Sequence, residues 1–128
     1  MSQVSSRAVP AIDAVDVVDR FNDAFNAHDV EAIMKLMTPD CVFEGTTPPD
    51  GDRHAGQAEV RGAWETFFAA SPDAAFTVEE TIAAGDRVVV RWRYDWGSGP
   101  HGPGHVRGVD VFRIRDGLVG EKLSYVKG

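Results

Sequence analysis

RGVDVFRIRDGLVGEKLSYVKG, residues 107–128, decides the fold. Apolar and polar residues alternate on both sides of Asp116-Gly117, a dipeptide suited to a tight two-residue hairpin turn. The pattern predicts strands over 105–115 and 118–126. Alternation gives Gly108, Asp110, Phe112 and Ile114 one face of the first, and Lys122, Ser124 and Val126 one face of the second. An acid and a lysine at the centre of a core hairpin need an explanation. An isolated buried charge costs several kcal/mol or shifts its pKa until it is neutral.

Upstream, RVVVRWRYDW (87–96) reads as a strand with Val88, Val90, Trp92, Tyr94 and Trp96 on one face, and Val89, Arg91, Arg93 and Asp95 on the other. A further strand over 75–83 precedes it across Gly85-Asp86, and GSGPHGPG (97–104) is a flexible connection. The N-terminal half is helical. Ala14, Val17, Val18, Phe21, Ala24, Phe25 and His28 recur at three- and four-residue steps from Ala11 onward. Asp29 caps a short second helix, VEAIMKLM, which Thr38-Pro39 halts before a brief strand, CVFE, at 41–44. GTTPPDGDRHAG (45–56) is loop by composition. A third helix over 57–70 turns Val60, Ala63, Trp64, Phe67 and Phe68 to one side and ends at Ser71-Pro72-Asp73. Residues 1–10 form a polar, flexible arm, and 11–128 one domain. Helices first and hairpins afterwards predict an α+β fold: three helices packed on a strongly curved antiparallel sheet, leaving a cone with an open mouth.

Composition narrows the function. A chain of 128 residues with 43% apolar and 26% charged residues is long enough to bury a core. Its net charge of -7 argues against nucleic acid and anionic membranes as partners. The one cysteine, Cys41, excludes an internal disulfide and reads as a packed thiol in a reducing compartment. No signal peptide and no 18-residue apolar run is visible, so the expected location is the cytoplasm.

Two stretches, FNAHDVEAIMKLMTPDCVFEG (25–45) and GVDVFRIRDGLVGEKLSYVKG (108–128), resemble the nuclear transport factor 2-like (NTF2-like) superfamily, of cystatin-like α+β barrel shape. The resembling branch holds ketosteroid isomerases, limonene epoxide hydrolases and SnoaL-type polyketide cyclases. By that resemblance Asp110 matches the isomerases' protonated aspartate. Gly45 stands at their general base, with Glu44 one residue before it, and Phe21 replaces their tyrosine. The hydrolases' arginine and aspartate fall at Trp92 and Tyr94. Ser124 takes the place of the last aspartate in both hydrolases and cyclases. The resemblance also implies a homodimer through the outer sheet face, where Arg91, Arg93, Val109, Val111, Glu121, Leu123 and Tyr125 lie.

The expected site is Glu44, Asp110 and Lys122 projecting into an apolar cone whose ligand wall includes Phe21, Trp64, Trp92, Tyr94, Phe112 and Ser124. Two readings stand. In one, Asp110 donates to an oxyanion, Glu44 moves a proton and Lys122 balances charge, giving a cofactor-independent isomerase, cyclase or lyase acting on a small apolar carbonyl compound. In the other, the charges fix register in a non-catalytic binding or accessory protein, or Lys122 reaches solvent. His101 and His105 lack a third ligand, so no metal is expected. His54 is expected to face solvent at the pocket rim, and His28 to end the first helix.

Overall fold

The computed structural model describes residues 11–97 and 102–127; the N-terminal arm and His101 lie outside them. The elements run α1 (Ala11–Asn26), α2 (Val30–Lys35), β1 (Met37–Glu44), β2 (Arg53–Ala55), α3 (Gln57–Ala70), β3 (Ala75–Ala84), β4 (Arg87–Asp95), β5 (His105–Arg115) and β6 (Leu118–Val126). The α+β expectation holds. Six strands form one sheet in the order β2-β1-β6-β5-β4-β3.

On α1 the predicted stripe is buried from Ala14 to Phe25, while Asp19 and Asp23 face solvent. Asn26 fastens the helix end to β3, accepting from the Phe76 amide at 2.9 Å and donating to its carbonyl at 2.6 Å. His28 takes φ 55 to turn the chain, and its ring stacks on Phe68 at 4.5 Å. Asp29 then caps α2, accepting from the Ala32 amide.

Two boundaries differ from the sequence reading. α2 stops at Lys35 rather than Met37, because Met37 already lies opposite Val119 in the sheet. Pro39 cannot donate to a ladder, and pairing resumes only at Val42 opposite Glu121. Around this bulge Arg115 binds Asp40 and Thr38, and the Gln57 amide donates to the carbonyls of Met34, Met37 and Thr38. The expected loop 45–56 contains strand β2, which pairs antiparallel with β1. Tertiary pairing creates that strand despite its loop-like neighbours.

The sheet departs from the expected antiparallel arrangement at one pair, since β1 runs parallel to β6. Its curvature has local causes. β3 carries an extra residue between Val78 and Glu80, and β6 carries Gly120 as an extra residue opposite Arg113 and Ile114. The β5–β6 turn has Asp116 and Gly117 both at positive φ, as a type I′ turn requires. The helices cover the concave face, where Phe21, Ile33, Val60, Val90, Phe112 and Ile114 form the core.

Candidate functional site

Core packing stops short of filling the cone. Beyond Phe21 and Phe112 lies a cavity of about 830 Å³, walled by aromatic rings including Phe43 of β1, Trp64 of α3, Phe76 of β3, and Trp92 and Tyr94 of β4. Asp110, Lys122 and Ser124 reach it from the sheet. Register explains their meeting: Asp110 lies opposite Ser124, and Lys122 is two residues from Ser124 on the same face.

The three side chains form a closed set. Lys122 Nζ donates to Ser124 Oγ at 2.9 Å, and the Ser124 hydroxyl donates to Asp110 Oδ1 at 2.7 Å. Asp110 Oδ2 stands 3.4 Å from Nζ, at ion-pair range, without a donor aligned on it. Asp110 is 1% exposed and Lys122 6%, so both members of the pair are buried at the cavity wall. Rings of Phe43, Trp64 and Phe25 surround Nζ at 4.9, 5.4 and 5.5 Å. Burial pushes the Lys122 pKa below the ordinary lysine value, and the Asp110 carboxylate opposes that fall. Burial likewise raises the Tyr94 phenol and the Cys41 thiol. Tyr94 feels Ser71 nearby, but not in hydrogen-bond geometry.

Glu44 does not join this cluster. Alternation sends it to the opposite side of β1 from Phe43, where it pairs with Arg53 at 3.0 Å. Phe21 and Phe112 are fully buried and pack on each other at 5.4 Å beneath the cavity, supporting the wall rather than lining it. Trp64, Trp92, Tyr94 and Ser124 do line it. Sequence reasoning missed Phe43, Phe76 and Phe25. The pairing of Cys41 with Phe43 on one face of CVFE was the signal for the first. His54 lies at the cavity as expected, half-buried and stacked on Phe43 at 5.9 Å. His105 is exposed, and no group of three or more metal-ligating side chains occurs among the described residues.

Residues 18–121 match the family model of the SnoaL-like domain. The chain belongs to the SnoaL-like family. No curated protein matches it. Among solved structures, an NTF2-like protein of unknown function from Mesorhizobium loti is 41% identical, with a TM-score of 0.79 over 92% of this chain and 93% of its own. A protein from Sinorhizobium meliloti, provisionally assigned as a polyketide cyclase, is 25% identical, with a TM-score of 0.72 over 91% and 99%. TerC, crystallised with polyporic acid, shares the fold at 20% identity and TM-score 0.77, over 90% and 92%. This SnoaL-like chain thus has the α+β class and the helix-then-hairpin order that its sequence predicts. Among the described residues, no helix is long and apolar enough to cross a membrane.

Proposed function

We propose that this SnoaL-like protein binds a small, largely apolar carbonyl compound in its cone and moves a proton on it, without a cofactor. One observation carries the reading: a lysine buried among aromatic rings and paired with an equally buried aspartate faces an apolar cavity of about 830 Å³. Desolvation lowers the proton affinity of the Lys122 amine, moving it toward the neutral form that a general base needs. The proton comes from the carbon beside the carbonyl, the C–H electron pair passes into the enolate, and the proton returns at another carbon. Asp110 and the surrounding rings stabilise the ammonium in between. Isomerase, cyclase and lyase reactions share this step.

Asp110 acts through Lys122 as a positioning residue. Ser124 bridges the two, so the serine in the resembling enzymes' aspartate position gains a role. The Sinorhizobium meliloti neighbour, provisionally assigned as a polyketide cyclase, suits such ligands. The same reading includes a homodimer through the outer faces of β4, β5 and β6.

A second reading, a ligand-binding protein without chemistry, is favoured by the hydrogen bonds that Lys122, Ser124 and Asp110 make to one another and by Gly45 at the position that the resemblance gives to the general base. Exchange in heavy water separates the two. Proton loss beside the carbonyl of bound apolar ketones, followed by NMR, is expected to be accelerated by the protein. Lys122→Met should slow it by about a hundredfold or more. Asp110→Asn removes the charge that retains the lysine's proton, so it should move the onset of exchange to lower pH. Ketone binding without accelerated exchange would leave the second reading in place.

A further inference from the structure

We propose that Lys122 captures its ligand covalently, as an imine between Nζ and an aldehyde or unhindered ketone held in the cone. This deepens the proposed proton transfer and rests on it for the carbonyl class of the ligand.

The chain has three lysines. Lys35 and Lys127 are exposed, and Lys122 alone meets the cavity. An exposed lysine near pH 7 is neutral in only about one molecule in a few thousand, which limits its attack on carbonyls. Lys122 faces the cavity yet has almost no contact with water, and this desolvation favours the neutral, nucleophilic amine. Burial lowers its proton affinity in the same direction.

A proton acceptor is also in place. The ammonium passes a proton to Asp110, directly across 3.4 Å or through the Ser124 hydroxyl by contacts of 2.9 and 2.7 Å. The freed Nζ lone pair forms a bond to the carbonyl carbon while the carbonyl π electrons move to oxygen. That oxygen takes the proton from Asp110, and the nitrogen gives up its second proton to the carboxylate. The resulting hydroxyl is protonated in turn by Asp110 and leaves as water as the nitrogen lone pair closes the C=N bond. The amine, the carbonyl compound and the aspartate balance the sequence, with water as the product. Because condensation releases water, an apolar wall that excludes water favours the imine over its hydrolysis. The aromatic lining selects flat, apolar carbonyl compounds over sugars and other polyhydroxylated ones.

The test uses the full chain and 2-naphthaldehyde, with cyanoborohydride to reduce any C=N bond to a stable amine. Tryptophan quenching reports binding, and peptide mass spectrometry locates the adduct. The expected result is quenching together with one adduct per chain on Lys122, in roughly tenfold or greater excess over Lys35 and Lys127. The Asp110→Asn, Lys122→Met double variant, neutral at both positions, should keep a cooperative urea transition and lose the adduct. Quenching without an adduct, or labelling spread evenly over the three lysines, would overturn the imine while leaving the ligand-binding cone intact. Absence of both quenching and adduct would overturn the imine and the carbonyl reading together.

Discussion

Lys122 and Asp110 hold each other in the fold. Removing one partner of a buried ion pair leaves the other charge uncompensated, which typically costs about 3–5 kcal/mol. Lys122→Met and Asp110→Asn are therefore expected to be strongly destabilising singly, and the double variant much less so than their sum. Urea unfolding of the four proteins measures this, and additive losses would show that the pair is not coupled. The same experiment repeated across pH has a defined sign. Below the depressed folded pKa of Lys122 both states hold its proton, and the burial penalty is present in full. Between that value and the ordinary lysine value near 10.4, the folded state has released a proton that the unfolded chain keeps. Wild-type stability should rise through this window relative to the double variant. At this scale the sequence was partly legible. The acid and the lysine stood out because charge is rare on a core face. Glu44 was misplaced because the resemblance sets it beside the general-base position, whereas the alternation of Cys41-Val42-Phe43-Glu44 turns the glutamate outward.

Among the elements, β5 lies between β4 and β6 and carries Asp110. Gly108 stands where the strand passes Trp92. A Cβ there would collide with the Tyr125 carbonyl and lie 2.7 Å from ring carbons of Trp92. Gly108→Ala is expected to lower stability by about 1–3 kcal/mol and to displace the tryptophan wall. A fall in melting temperature with altered tryptophan emission would check this; an unchanged emission spectrum would mean that the backbone, not Trp92, gives way. Gly120 shows why strand existence was easier to read than strand facing. Strict alternation cannot turn both Val119 and Lys122 inward, yet both are buried because the bulge at Gly120 resets the phase. A glycine inside a strand hints at such a break without fixing its direction.

On the scale of the whole molecule, the outer sheet face is the counterpart of the cavity. Val109, Val111 and Leu123 are partly exposed there, and Tyr125 is 52% exposed. Arg91–Glu80 and Arg107–Glu79 pairs flank them. Such a surface suits a polar-rimmed contact between two copies. Light scattering should therefore give twice the chain mass for the wild type and the single mass for Leu123→Asp. A monomeric wild type at all concentrations would refute the dimer. What the sequence determined by itself was the succession of helices and hairpins, since periodicity, caps and turn dipeptides act over a few neighbouring residues. Only the tertiary structure decided that β1 joins β6 in parallel, that β2 exists, and that Glu44 leaves the cone. It also decided that Lys122, Ser124 and Asp110 close on one another. Those outcomes depend on bulges and long-range strand pairing, in which one residue of register decides whether a charge meets a cavity or solvent.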